Sequence, residues 1–165
     1  DDPMLDDARN EMRTVCAYLE SIEPCFTHRD FHCRNLMIRD GQLVMIDFQD
    51  ARLGPPQYDL VSLLRDSYRV LPEEMVTEKK ERFLRKKQEL EGRPLDREAF
   101  DYGFDLMAIQ RNLKAVGTFA YQASARGNDR YLPYIEPTLM NVKRTLSGRP
   151  ELSNFKTALE KILPL

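Results

Sequence analysis

The sequence predicts a mainly α-helical fold that contains one small β-hairpin. Apolar residues recur every three or four positions in five segments of the 165-residue chain, and every seven positions in a sixth, and both spacings are typical of a helix packed on one side. After the first of these segments, Asp40 and Gly41 separate two short apolar runs, and Asp-Gly in that setting is a strong signal of a two-residue hairpin turn. The chain has no internal repeat or low-complexity linker, so we expect one domain, residues 1–165, with a sizeable core.

The expected elements follow one another along the chain. A first helix ends at Pro24, and hairpin strands follow at residues 36–39 and 42–46. The helices are predicted from these apolar positions: Met12, Val15, Leu19 and Ile22; Leu60, Leu64, Ser67 or Tyr68, and Leu71; Val76, Phe83 and Leu90; Leu106, Ile109, Leu113, Val116 and Ala120; Leu132, Ile135, Leu139, Val142 and Leu146; Leu152, Phe155, Leu159 and Ile162.

Composition narrows the class of protein. With 25 basic and 27 acidic residues the net charge is −2, and this charge balance indicates no electrostatic attraction to nucleic acid or to a membrane surface. We recognise no signal-peptide pattern and no apolar stretch of transmembrane length in these residues, so we expect neither a signal peptide nor a membrane span. Its three cysteines, Cys16, Cys25 and Cys33, are odd in number and fit no zinc spacing. We expect reduced thiols in a cytoplasmic protein.

The strongest functional signal is the segment HRDFHCRN at residues 28–35, followed by Asp47. Asp30 can accept a proton from a substrate hydroxyl, and Asn35 and Asp47 can hold Mg²⁺ against nucleotide phosphates. The protein-kinase signature has the same His-Arg-Asp, four residues and Asn, followed by Asp-Phe-Gly, although Gln49 replaces that Gly here. Because antiparallel strands bring the two ends of a hairpin together, Asn35 and Asp47 should meet in space.

The alternative for these residues is structural, since Asp and Asn commonly cap helices and turns. Three such residues in this order, joined by a hairpin, favour the functional interpretation. His28 and His32 could suggest a metal site, but no third nitrogen or sulfur ligand lies nearby. We expect His28 to hydrogen-bond the loop backbone and to pack near Asp47, and His32 to brace the loop.

Two acidic residues are candidates for loop support, Asp50 and Asp59. Asp59 precedes a predicted helix, where it could be a simple N-cap. It could also anchor the catalytic loop by accepting hydrogen bonds from backbone amides.

The candidate substrate residues are basic or polar. Arg29 and Arg34 could meet phosphate, and Arg34 could pair with a substrate carboxylate or form a structural ion pair. Three side chains on the fourth long helix could line a pocket or simply face solvent: Gln110, Arg111 and Lys114. The basic cluster at residues 79–87 is interpreted as a solvated helix face, with a substrate-binding patch as the alternative.

Nucleotide-binding signals are missing upstream of the motif. The seven glycines form neither GxGxxG nor a Walker A loop, and no strand there carries a phosphate-pairing Lys. Only 27 residues precede His28, so we expect the chain to be a fragment or processed product that needs an N-terminal nucleotide lobe absent from it.

The chain resembles the aminoglycoside phosphotransferase and choline kinase family. The likeness is carried by His28, Asp30 and Asn35 of HxDxxxxN, by IDFQD at residues 46–50, and by Asp59-Leu60. It extends through HRDFHCRNLM, VMIDFQDARLGPPQYDLVSLLRDSYR and IQRNLKAVGTFA, which most resemble bacterial anomeric kinases of N-acetylmuramate and N-acetylglucosamine.

This resemblance implies the C-terminal lobe of a protein-kinase-like fold, with Asp30 as catalytic base and Asn35 and Asp47 as Mg²⁺ ligands. The expected reaction is phosphoryl transfer from ATP or GTP to a hydroxyl of a small molecule, most plausibly an amino sugar. The alternatives are a non-catalytic pseudokinase, a helical binding module, or a kinase for an aminoglycoside or a choline-like alcohol. The isolated chain is expected to be inactive.

Overall fold

In a computed structural model, residues 3–163 can be described, so both ends of the predicted lobe lie outside the described residues. The fold is mainly helical with small antiparallel sheets, which confirms the predicted class. The helices are α1 (Pro3–Ser21), α2 (Gln57–Leu64), α3 (Glu73–Glu91), α4 (Arg97–Arg126), α5 (Ile135–Ser147) and α6 (Ser153–Glu160), and the strands are β1 (Cys25–Thr27), β2 (Leu36–Arg39), β3 (Gln42–Met45) and β4 (Arg52–Gly54).

The described chain divides into two compact units. The loop unit is Glu23–Phe104, and the helical unit comprises residues 3–22 and 105–163. In the helical unit α6 packs against α1 and α5, burying apolar side chains from all three helices. The loop unit has its own buried apolar residues on α2, α3 and the start of α4: Leu60, Val61, Leu64, Val76, Leu84, Phe100 and Phe104.

The predicted hairpin is confirmed. β2 and β3 pair antiparallel from Leu36 opposite Met45 to Arg39 opposite Gln42. The turn residues Asp40 and Gly41 have φ values of 52° and 75°. Two successive positive φ angles match the right-handed twist of the strands, and Asp-Gly adopts them readily. The hairpin thus returns through a two-residue turn and brings residue 46 beside residue 35.

A second two-stranded sheet was not predicted. β1 pairs antiparallel with β4, with Phe26 opposite Leu53, and the Thr27 hydroxyl donates a 2.8 Å hydrogen bond to the Arg52 carbonyl. Three-residue strands are too short to show an alternating pattern. This sheet places the start of the 28–35 segment beside the chain that leaves the hairpin.

Several predicted helix boundaries were wrong. α2 stops at Leu64, so Tyr68 and Leu71 lie outside it, and α5 begins only at Ile135, after a 3₁₀ turn that contains Leu132. α3 contains the predicted apolar positions Val76, Phe83 and Leu90, but it buries Leu84 whereas Leu90 is 77% exposed. Gly92 then ends α3 in the left-handed conformation, with its amide bonded to the Gln88 carbonyl.

The basic cluster at residues 79–87 is paired with neighbouring carboxylates. Lys80 bonds Asp101 at 2.8 Å, and Lys86 bonds Glu89 at 2.9 Å. Such pairs favour the solvated-face interpretation over a substrate-binding patch. Within residues 3–163 the structure contains no helix that is both long and apolar enough to cross a membrane.

Candidate active site

The site is built on the segment between β1 and β2, residues 28–35, which we call the catalytic loop. The backbone turns sharply at its start, because Arg29 has a φ of 74°, a conformation that non-glycine residues rarely adopt. The Asp59 carboxylate accepts hydrogen bonds from both amides at this turn, His28 N at 2.6 Å and Arg29 N at 2.8 Å. This paired contact offsets the unfavourable backbone conformation.

Asp59 therefore makes the bonds that the loop-anchor hypothesis requires. It lies in the first turn of α2, which Pro56 precedes without a side-chain cap, and both of its oxygens are directed at the loop. A simple N-cap would instead bond amides of its own helix.

Asn35 connects the loop to the far end of the hairpin. Its side chain is 9% exposed, and its amide nitrogen donates to the Asp30 carbonyl at 2.9 Å and to the Asp47 carboxylate at 3.4 Å. The Ile46 amide donates to the Asn35 carbonyl at 3.1 Å. The side chains of Asn35 and Asp47, twelve residues apart, thus meet as the hairpin argument expected.

Asp47 has a φ of 68° and is exposed. The side-chain amide of Gln49 donates a hydrogen bond to its carboxylate, a contact that sequence reasoning missed. Asp50, expected to support the loop, is exposed in the turn closed by the Ala51 amide and the Phe48 carbonyl. No contact from Asp50 to the loop is seen among the described residues.

The Asp30 carboxylate differs from that of Asp59 in its hydrogen bonding. Asp30 is half-buried, and its backbone carbonyl accepts bonds from both Asn35 and the His32 amide. Its side chain makes no hydrogen bond to other residues in the described part of the chain. The backbone at Asp30 is therefore fixed while its carboxylate remains available.

The His28 side chain differs from expectation. Both ring nitrogens of His28 are buried without a hydrogen-bond partner in the described chain, so the expected bond from its side chain to the loop backbone was wrong. The His28 ring instead lies 5.9 Å from that of Phe31, and the His32 ring lies edge-on to Tyr68 at 5.6 Å. No group of three or more His, Cys, Asp or Glu side chains in residues 3–163 could hold a metal ion.

Behind the loop, sequence reasoning missed Asp66. This residue is 4% exposed, and its two carboxylate oxygens accept from Cys33 N at 3.0 Å and Tyr68 N at 2.8 Å. Burial, followed by hydrogen bonding to the Asp66 carboxylate, raises the pKa of the Cys33 thiol to about 11. No pattern distinguished Asp66 from the other acidic residues, because its role depends on where α2 ends.

The candidate substrate residues fall in both units. Arg34 is exposed, and its guanidinium carbon lies 3.6 Å from the centroid of the Tyr68 ring. On α4, in the helical unit, Gln110 and Arg111 are half-buried and Lys114 is exposed. A part in substrate binding stays a prediction for all four.

The chain was compared with known proteins. A sequence model of the phosphotransferase enzyme family matches residues 2–95. The N-acetylmuramate/N-acetylglucosamine kinase of Neisseria meningitidis is 43% identical over 127 residues, which cover 75% of this chain and 37% of the relative. The enzymes of the same name from Pseudomonas aeruginosa and Caulobacter vibrioides are 34% and 32% identical, covering 83% and 85% of this chain and 41% and 38% of those relatives.

The chain thus spans about two fifths of the length of the curated relatives it matches. The family match covers the catalytic loop, the hairpin and α2, and the helical architecture is that of the C-terminal lobe of a protein-kinase-like fold. This chain belongs to the phosphotransferase enzyme family.

Proposed function

We propose that the protein is a kinase that transfers the γ-phosphoryl group of ATP, or of GTP, to a hydroxyl of an amino sugar. The observation that carries this proposal is the meeting of Asn35 and Asp47 beside the backbone of Asp30. The names of the relatives, which are N-acetylmuramate/N-acetylglucosamine kinases, support the choice of acceptor.

The donor atoms at the site fit Mg²⁺. Asn35 offers an amide oxygen and Asp47 a carboxylate, and Mg²⁺ prefers such hard oxygen ligands while keeping several waters and substrate phosphates. Asp47 is exposed, which leaves room for those further ligands. When bound, the ion would neutralise charge that develops on the transferring phosphoryl group.

The chain's own residues would orient the acceptor and receive its proton. Asp30 is the proposed proton acceptor for the sugar hydroxyl, and its carboxylate has no competing partner among the described residues. Asn35 fixes the backbone of Asp30, and Asp59 fixes the turn before it. Such positioning, with electrostatic stabilisation, supplies most of the catalysis in phosphoryl transfer.

Exposed apolar side chains support a further lobe over the nucleotide. On the two small sheets and the segment between them, Phe26, Ile38, Phe48 and Leu53 are 68–75% exposed. Phe26 and Leu53 lie opposite each other on paired strands, and adjacent exposed apolar side chains of this kind are typical of an interaction surface. We propose that an N-terminal lobe absent from the 165 residues covers this surface, that the isolated chain is inactive, and that the protein works in the cytoplasm.

The acceptor test uses the full-length gene product, radiolabelled ATP and Mg²⁺. We expect label to appear on N-acetylmuramate and N-acetylglucosamine and not on choline or kanamycin. Transfer only to the latter two would overturn the amino-sugar assignment. Nucleotide binding without transfer to any acceptor would favour a pseudokinase or binding module.

We further propose that Gln110, Arg111 and Lys114 of α4 contact the acceptor sugar, and a second arm of the test addresses Arg111. Arg34, in the catalytic loop, is a separate candidate. Charge-assisted hydrogen bonds contribute about 1.5–3 kcal/mol, so Arg111→Gln should raise KM for N-acetylmuramate roughly 10–100-fold if its guanidinium meets the sugar carboxylate. N-acetylglucosamine, which lacks that carboxylate, should be little affected. Arg126→Gln, at the exposed end of the same helix, is the control. Equal effects on both sugars would remove Arg111 from carboxylate recognition.

A further inference from the structure

We infer that Asp66 is a positioning residue, whose buried carboxylate holds the second half of the catalytic loop in the conformation that Asp30 and Asn35 need. This inference rests on the proposed kinase function. It adds to Asp59 a second carboxylate anchor, at the opposite end of the loop.

The two anchors hold the loop on either side of Asp30, and the second lies two residues before Asn35. Asp59 holds the amides of His28 and Arg29, whereas Asp66 holds the amide of Cys33 at 3.0 Å. The loop is also bonded to itself: the His32 backbone amide donates to the Asp30 carbonyl and the Asn35 backbone amide donates to the His32 carbonyl, both at 3.0 Å. A shift at residue 33 would therefore pass through His32 to both functional residues.

The free-energy cost of burying the charged Asp66 side chain indicates that its role goes beyond forming a local turn. Its 2.8 Å bond to the Tyr68 amide is an Asx-type contact that turns the chain after α2, and one oxygen suffices for it. An Asn could make that contact without placing a negative charge in a position that is 4% exposed. The second oxygen goes to the loop, and the charge strengthens both bonds.

The turn also contacts loop side chains. Tyr68, two residues after Asp66, lies against the Arg34 guanidinium at 3.6 Å and against the His32 ring at 5.6 Å. Residues 66–68 thus contact three successive loop residues, 32–34, through backbone and side chains. These contacts restrict the movement of residues 32–34, the part of the loop that leads into Asn35.

The test compares Asp66→Asn with wild type in the full-length gene product. Asparagine retains one acceptor oxygen, so the fold should survive while one of the two amides loses its partner. We expect faster amide hydrogen exchange in the loop and a roughly 10–100-fold lower kcat, the scale of loss that follows small misplacement of reacting groups. Ser62→Ala removes a buried hydroxyl whose bonding partner within residues 3–163 is the Tyr58 carbonyl of α2, and it should change neither.

A double variant that carries both Asp66→Asn and Asp30→Asn distinguishes a positioning role of Asp66 from a general loss of structure. If Asp66 acts through Asp30, the second substitution adds little to the first, since residues that act as a unit are strongly non-additive. An equal fold-loss in both backgrounds, or unchanged kcat and loop exchange, would overturn the inference. If wild type transfers phosphate to no acceptor, the proposed function fails, and loop exchange alone then decides whether Asp66 anchors the loop.

Discussion

At the scale of single residues, the acidic side chains of the site fall into two groups: those that bond the loop backbone and those whose carboxylates remain available for chemistry. Both carboxylate oxygens of Asp59 and of Asp66 accept hydrogen bonds from backbone amides of the loop or of its neighbouring turn. Asp30 has no such bond among the described residues, and Asp47 bonds only the side-chain amides of Asn35 and Gln49. Chemistry is therefore expected at Asp30 and Asp47, and preorganisation at Asp59 and Asp66.

Replacing Asp30 with Asn should remove the proton acceptor and leave the loop intact, because the loop is bonded to the Asp30 backbone carbonyl. General-base catalysis contributes about 10²–10⁴-fold, so kcat should fall within that range. Nucleotide affinity, measured by calorimetry, should change little. Asp96→Asn is the control, since Asp96 caps α4 through the Ala99 amide and Asn caps equally well. Near-normal turnover of Asp30→Asn would exclude Asp30 as the base.

The Cys33 thiol should resist alkylation although the residue is exposed. Its pKa is raised to about 11, so at neutral pH its thiolate fraction is about 100-fold below that of a cysteine with the ordinary value of 9.0. The rate with iodoacetamide should keep rising between pH 9 and 11, and Asp66→Asn should accelerate it by removing the carboxylate. Mass spectrometry would resolve the site, with denatured protein as the reference. A folded protein that alkylates at the denatured rate would contradict this account.

The role of a residue could be predicted where the residues that define it lie close together in the sequence. Asp30, Asn35 and Asp47 stand in a fixed order around a recognisable hairpin, so their meeting could be predicted. Asp66 reaches the loop across 33 residues of sequence, and its direction is set by a helix end that periodicity alone did not locate. The His28 side chain was wrongly assigned because burial beside Phe31 cannot be read from the motif.

At the scale of elements, two short antiparallel pairs position the site. The hairpin β2–β3 brings Asn35 to Asp47, and β1–β4 holds the chain on either side of them. The first pair was predicted from its turn, whereas the second has three-residue strands joined over a long interval and leaves no local signal. The end of α2 and the start of α5 were misplaced for a similar reason, since the apolar spacing extends beyond the helical residues at both boundaries.

The hairpin turn can be tested with one substitution made at two places. Gly41 has a φ of 75° and open space around its Cβ position, so Gly41→Ala should cost about 1–2 kcal/mol through backbone strain alone. Gly117, in the interior of α4, has equally open surroundings, so Gly117→Ala should stabilise by roughly 0.5–1 kcal/mol. Urea unfolding would measure both. The same sign at the two positions would contradict the assigned backbone conformations.

At the scale of the whole molecule, the family match and the site lie in the same part of the chain. The match covers residues 2–95, which include all of the catalytic loop, the hairpin and both anchoring carboxylates. The candidate acceptor residues Gln110, Arg111 and Lys114 lie beyond it, in the helical unit. Family membership thus supports the phosphoryl-transfer centre more directly than it supports the choice of sugar.

The central claim is that the loop and the hairpin form one metal-dependent phosphoryl-transfer centre. Its most direct test is single-turnover transfer from radiolabelled ATP to N-acetylglucosamine by the full-length gene product, over a range of Mg²⁺ concentrations. Wild type and Asp96→Asn should show the same Mg²⁺-dependent transfer. Asp47→Asn should lower the rate at least ~100-fold at saturating Mg²⁺, because one carboxylate ligand is lost beside Asn35. Transfer by Asp47→Asn at the wild-type rate, with unchanged dependence on Mg²⁺, would contradict the account.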